Sequence, residues 1–355
     1  MSEQRNQGIV ITQTPFRISF FGGGTDFPEY FNEYGGSVIG TAIDKYMYVT
    51  VNSLERFFEK KIRLSYMKLE CVDSPDELEH QIVRCILNNH RSDNEQEFLD
   101  VHTYADLPSS SGVGSSSSFT VGMLNALYLL NGAYKTSEVI AKEAIHIERV
   151  DLKDTGGWQD QIFAAYGGFN RISFYNNKFL VEPICISHQK KQKLEKSLMM
   201  FFTGDTRSSA SIQQKAIGDT QEKSAYLRDI QRIAEEAFDV INQPSSTEDF
   251  IANFGRLLHE GWEAKRRMSD HISTDKIDNM YHLAMQAGAL GGKLCGAGGG
   301  GFLMFIVPEH KRQDVIDALA GHKQLNVTFE EHGSRVIYSK TYNPEMSFAQ
   351  AQVLA

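Results

Sequence analysis

The chain has 355 residues, 41% of them hydrophobic and 23% charged, enough for two compact domains and unlike a disordered chain. A formal net charge of −9 argues against nucleic-acid binding, which rests on Lys and Arg paired with phosphates, but leaves room for a local basic pocket for a small anion. The polar N-terminus is no secretory signal, no apolar run approaches the ~20 residues that span a bilayer, and Cys71, Cys85, Cys185 and Cys295 lack CxxC spacing, so a reducing cytoplasm fits better than a zinc site or a disulfide framework.

In chain order, residues 15–21 (PFRISFF) read as a strand running into a turn of Gly22, Gly23 and Gly24. Residues 44–52 and 61–66 alternate as further strands. An amphipathic helix is predicted over 76–89, then a strand over 97–104 that enters a Ser/Gly-rich stretch at 107–118. Apolar helices follow at 119–130 and 137–149, and a hairpin at 169–175 and 179–186 turns on Asn176 and Asn177. After the polar segment 187–197 come a strand (198–203), helices near 223–241, 247–267 and 274–287, and a glycine loop (296–301) that leads into a strand at 302–307. A helix at 309–319 and strands near 325–331 and 335–340 finish the chain. The change of texture places a domain boundary in 187–197, giving domains 1–188 and 189–355.

Three loops carry the chemistry. The first in strength is Leu107-Pro-Ser-Ser-Ser-Gly-Val-Gly-Ser-Ser-Ser-Ser118, set between a strand and a helix. Glycines there let successive N–H groups turn inward as an anion nest, and the next helix adds its N-terminal partial charge. Hydroxyls at Ser115 and Ser116 are placed to bond phosphate or complete a magnesium shell. The alternative is a flexible linker, which does not normally run straight into a helix. The second loop, Gly22-Gly-Gly-Thr-Asp26, follows a strand bearing Arg17. Asp26 can accept two hydrogen bonds from a polyol and Arg17 can neutralise a transferring phosphate, although a strand turn with an Asx cap reads the same way. The third, Lys293-Leu-Cys-Gly-Ala-Gly-Gly-Gly-Gly301, is denser in glycine than a turn requires. That density fits close approach to a ligand, to the Ser-rich loop, or to a neighbouring strand.

No Walker loop is present, and Gly296, Gly298 and Gly301 match a Rossmann spacing only nominally, because a strand follows them. A kinase needs one carboxylate for magnesium and one for the attacking hydroxyl. Glu148, near a helix end, and Asp160, beyond a Gly-Gly turn, are the candidates, although either alone reads as a surface acid. His146, His259 and His271 show no ligand pattern.

Taken in this order, the loops resemble the galactokinase, homoserine kinase, mevalonate kinase and phosphomevalonate kinase (GHMP) superfamily. Residues 108–117 are similar to its Pro-x-x-x-Gly-Leu-Gly-Ser-Ser-Ala, with Val113 for Leu and Ser117 for Ala. The resemblance implies that Pro108, Ser110, Ser111, Gly112, Val113, Gly114, Ser115, Ser116 and Ser117 bind the ATP phosphates. It makes Ser116 and Glu148 the magnesium ligands and Asp160 the catalytic carboxylate, assisted by Arg17. Four segments further resemble bacterial D-glycero-D-manno-heptose 7-phosphate kinases: 17–26, 156–161 (GGWQDQ), 165–170 (AYGGFN) and 203–209 (TGDTRSS). They imply phosphorylation of an anomeric hydroxyl, with Arg17, Gly23, Gly24, Thr25, Asp26, Asp160, Arg207 and Gly298 at the sugar phosphate and Arg207 on its phosphate. Fucokinase-like enzymes share the first loop, so a 1-kinase for a plain sugar and a catalytically silent sugar sensor are the alternatives. The implied fold is a two-domain α+β architecture: an N-terminal α/β domain (ribosomal protein S5 domain 2-like) with a mostly antiparallel or mixed sheet, and a ferredoxin-like C-terminal domain. A cytoplasmic monomer or homodimer is expected.

Overall fold

The computed structural model describes residues 8–54, 57–90, 98–204, 220–269 and 271–341, with the backbone alone described at 220–224 and 341. The chain opens on β1 (Gly8–Phe21), whose outer half alternates buried and part-buried residues and whose inner half is buried throughout. A strand buried on both faces needs cover on both. Phe16, Ile18 and Phe20 face one core, and Arg17 and Ser19 point the opposite way, as period-two alternation requires. A helix, α1 (Pro28–Tyr34), leads to β2 (Gly36–Leu54), which pairs antiparallel with β1 along its length. β3 (Ile62–Ser65) and β4 (Leu69–Val72) form a hairpin, and β3 runs parallel to β5 (Phe98–Ala105), which pairs with β2. Helices α2 (Gln81–His90), α3 (Ser115–Leu130), α4 (Ser137–His146) and α5 (Gln159–Tyr166) cover this sheet, and the hairpin β6 (Phe169–Tyr175) and β7 (Lys178–Pro183) extends it from β2.

After α6 (His188–Ser197), β8 (Leu198–Phe202) starts a second sheet. Three helices follow, α7 (Thr220–Asn242), α8 (Thr247–Arg266) and α9 (Asp275–Gln286), then β9 (Gly291–Leu294), β10 (Phe302–Ile306), α10 (Arg312–Ala318) and β11 (Gln324–Leu325). The antiparallel order β11-β8-β10-β9 is the 4-1-3-2 order of a ferredoxin-like sheet. The chain then crosses back: β12 (Phe329–Glu330) pairs with β2, and β13 (Arg335–Thr341) with β1, making the first sheet nine-stranded among the described residues.

Several predicted elements differ in extent. The helix expected at 76–89 is a 3-10 turn, Pro75–Glu77, followed by α2, because Leu78 is extended and the Glu70 carboxylate accepts the Glu79 N–H. The helix after the Ser-rich loop starts four residues earlier than 119, at Ser115, so the serines form its first turn. The helix expected to reach 149 stops at His146 and continues as a π turn, Ile147–Asp151. The polar segment 187–197 is helical, capped by the Ser187 hydroxyl on the Lys190 N–H. Helices α1 and α5 carry no strong periodic signal at seven and eight residues and were not predicted.

Candidate active site

The β1–β2 register shifts between Pro15 and Phe16, where Asp44 and Lys45 of β2 have no partner in β1, and Arg17 follows on β1. The Arg17 Nε and Nη2 grip both oxygens of Asp160, at 2.8 and 2.6 Å, while Nη1 donates to the Gly112 carbonyl at 2.6 Å. Arg17 is buried and Asp160 keeps about a quarter of its side chain exposed (26%). This fork fixes the carboxylate geometrically as well as electrically. Asp160 lies in the first turn of α5, against the Ser-rich loop: a Cβ added to Gly114 would stand 3.4 Å from its Oδ2.

Within that loop Pro108 and Ser110 are exposed, and Ser110 has φ +58°. Ser111 is buried, its hydroxyl bonded to the Pro108 carbonyl, and Val113 is buried. The N-terminus of α3 follows Gly114 with no side chain capping it, so the first-turn amides of Ser115, Ser116 and Ser117 have no intrahelical partner. They form an anion seat open to a phosphate. The third glycine loop supports this seat from below. A Cβ on Gly296 would meet the Gly112 Cα at 2.6 Å, and one on Gly112 would meet the Cys295 carbonyl oxygen at 2.4 Å. Of the three explanations for its glycine density, backbone packing against the Ser-rich loop is the one observed. Gly298 is buried in this loop, and Thr203 bonds Gly301 through N–H and hydroxyl.

Glu148 sits in the π turn, where the Leu152 N–H reaches back to the Ile147 carbonyl. Such turns recur at functional sites. The carboxyl is buried, and its Oε2 accepts the Ser117 hydroxyl at 2.9 Å and the Gln161 amide at 2.5 Å. Oε1 is buried without a hydrogen-bond partner. Burial above all pushes this acid up to about 7. An unsatisfied, desolvated carboxylate oxygen suits a hard divalent cation. The structure joins Ser117 to Glu148, whereas Ser116, a helical step of 100° away, is exposed. The signal for Ser117 was its departure from the superfamily's Ala.

In the second loop, Gly23 and Gly24 are partly exposed at the turn, but Thr25 and Asp26 are buried. Thr25 donates to the Gly22 carbonyl, and Asp26 accepts the N–H groups of Gly24 and Gln159, at 2.9 and 3.2 Å. Asp26 therefore ties the glycine turn to the start of α5, and burial raises its pKa. Two cations missed in the sequence also stand here, Lys293 beside Gly23 of this turn and Lys265 on the third loop. Lys293 of β9 is buried and donates to the Phe20 carbonyl at 3.1 Å, and Lys265 of α8 donates to the Gly296 carbonyl at 2.5 Å. Burial and the neighbouring Lys265 bring Lys293 down to about 7, and burial brings Lys265 to about 8. Lys265 is camouflaged in sequence by Arg266 and Arg267. Arg207 lies outside the described residues.

Residues 80–168 match the family described as GHMP kinases N terminal domain, and residues 246–323 the one described as GHMP kinases C terminal. A D-glycero-alpha-D-manno-heptose 7-phosphate kinase of Campylobacter jejuni is 35% identical over 324 residues, covering 87% of this chain and 93% of that protein. The chain belongs to the GHMP kinase family. It is thus an enzyme that transfers phosphate to a hydroxyl, in a family that uses ATP. The crystal structure of a D-glycero-D-manno-heptose 1-phosphate kinase of Bacteroides thetaiotaomicron superposes on this GHMP kinase with a TM-score of 0.74 at 26% identity, covering 93% of this chain and 99% of that one. A bifunctional fucokinase/GDP-fucose pyrophosphorylase of Arabidopsis thaliana is more distant, 26% identical over 69% of this chain and 22% of its own length. No described helix is long and apolar enough to cross a membrane.

Proposed function

We propose that this GHMP kinase uses ATP and magnesium to phosphorylate the anomeric hydroxyl of D-glycero-D-manno-heptose 7-phosphate, giving the 1,7-bisphosphate for nucleotide-activated heptose synthesis. The observation that carries the chemistry is the Arg17–Asp160 fork held against the uncapped N-terminus of α3. The acceptor is read from the similarity to the Campylobacter enzyme.

In this reading the backbone of Gly112, Val113 and Gly114 and the amides of Ser115–117 seat the ATP phosphates, with Pro108, Ser110 and Ser111 shaping the loop. Ser116 and the free Oε1 of Glu148 hold magnesium, while Ser117 and Gln161 fix Oε2. The cation would neutralise phosphate charge in the loose transition state. Asp160 orients the anomeric hydroxyl and accepts its proton. Arg17 spends three of its five N–H groups on Asp160 and Gly112, leaving two for the transferring phosphoryl group. The turn at Gly23 and Gly24, shaped by Thr25 and Asp26, holds the sugar, with Gly298 closing the far side and Arg207 near the acceptor phosphate. The chain divides near 188/189, with its last strands returning to the first sheet. It works in the cytoplasm as a monomer or homodimer.

A panel of sugars and sugar phosphates assayed for ATP consumption tests the reading, with phosphorus NMR of the product. Two phosphates, one split by the anomeric proton, are expected. A product phosphorylated only at a primary hydroxyl would sink it, equal efficiency on plain fucose would move it to the fucokinase-like alternative, and no ADP release would indicate a silent sensor.

A further inference from the structure

We propose that Lys265 and Lys293, reaching the cleft from α8 and β9, hold the phosphate group that the acceptor already carries. The inference rests on the sugar-phosphate reading above and assigns that phosphate a place in the fold.

Each ammonium has three N–H donors and spends one on a carbonyl, Phe20 for Lys293 and Gly296 for Lys265. Among the described residues no carboxylate forms an ion pair with either. The nearby acids are committed elsewhere: Asp160 to Arg17, and Asp26 to two backbone amides. Two neighbouring ammonium groups, Lys293 buried and Lys265 half-buried, with no carboxylate paired to them are costly, and an incoming dianion removes the cost. The polar groups around them are likewise unspent. The absent Cβ of Gly23 leaves room where it would stand 3.6 Å from the Ser19 Oγ, 3.8 Å from the Gln159 Nε2 and 4.0 Å from the Lys293 Nζ. The Ser19 hydroxyl and the Gln159 Oε1 are buried without partners. A phosphate monoester with one protonatable oxygen accepts from the ammonium, hydroxyl and amide donors here. The nucleotide has its own seat on the first turn of α3, whereas Lys293 stands beside Gly23 of the acceptor's turn with Lys265 on the adjoining third loop, so the pair is assigned to the acceptor.

The test compares kcat/KM for heptose 7-phosphate and for plain heptose in the wild type, Lys293→Gln and Lys265→Gln, with KM for ATP measured alongside. Glutamine removes the charge and retains an N–H donor on a slightly shorter side chain. The phosphorylated acceptor should lose roughly tenfold or more in either variant, the reach of one charge-assisted hydrogen bond, and plain heptose far less. The wild-type preference should therefore shrink. If both acceptors fall together, or only the ATP parameters change as they would for lysines that meet the phosphoryl group in transit, the assignment is overturned. Should the buried Lys293→Gln fail to fold, the part-exposed Lys265→Gln decides alone. A wild-type enzyme without preference for the phosphorylated sugar would overturn the acceptor reading itself, and would do so before any variant is made.

Discussion

Asp160 has to be held still if it is to take a proton from a weakly acidic hydroxyl, and the Arg17 fork grips both of its oxygens. Asp160→Asn keeps the shape but not the basicity, so kcat should fall by roughly 10²–10⁴-fold with ATP binding retained; near-normal turnover in the folded variant would remove Asp160 from the role. Glu148 is a carboxyl that the metal-free fold prefers neutral. Its folded pKa of about 7 stands above the ordinary 4.5, so between those values the unfolded chain is ionised while the fold keeps the proton. Stability from this group is therefore present at low pH and lost as pH rises through about 7. Without divalent cations, Glu148→Gln should gain stability relative to the wild type between pH 5 and pH 8, read as denaturant midpoints. The reverse trend would mean that the carboxylate is already ionised in the empty fold. With magnesium supplied, the same variant should need more of the metal for activity. Arg17, Glu148 and Asp160 were singled out in sequence because the resemblance to the GHMP superfamily marks them, where spacing alone left each acid reading as a surface residue. Lys265 and Lys293 were not, since a lysine's role depends on which distant backbone it reaches.

At the scale of elements, the glycine loops act as one unit. Gly112 at φ +81° and Gly296 at φ +77° stack backbone on backbone, in a region that L side chains seldom adopt. Gly296→Ala would force its methyl group into the Gly112 Cα, lifting the loop beneath the phosphate seat. We expect a loss of ~1–3 kcal/mol from strain and a raised KM for ATP with Asp160 chemistry intact. A drop in kcat alone would argue that the third loop touches the reacting atoms instead. The density of glycine was legible in sequence, but its partner was not, because residues 112 and 296 meet only when the second sheet folds against the first. The same limit hid α5: a helix of eight residues has too few turns for periodicity to show, and Asp26 fixes its start from 133 residues away.

The molecule as a whole is held by a core that belongs to neither sheet alone. Phe16, Ile18 and Phe20 of β1 share one apolar cluster with Phe250 and Phe254 of α8 and with Met304 and Ile306 of β10. Phe254 sits edge-on to Phe20 at 5.1 Å and to Phe21 at 4.9 Å between ring centroids. Burying this aromatic group against the strand that carries Arg17 fixes the second half at the height where Lys293 reaches the glycine turn. Two regions could be guessed from the texture change near 187–197, whereas the return of β12 and β13 to the first sheet follows only from long-range pairing. Phe254→Ala should cost ~3–5 kcal/mol, the usual range for an aromatic lost from a packed core, and both halves should feel it. The chain has two tryptophans, and they report separately: Trp158 packs on the first-sheet core and Trp262 is buried in the core of the second sheet. In Trp158→Phe and Trp262→Phe backgrounds, the remaining fluorophore should give coincident denaturation midpoints that shift together when Phe254→Ala is added. Midpoints that separate, with only the Trp262 signal moving, would show that the halves fold on independent cores and that the cleft is set by the loops alone.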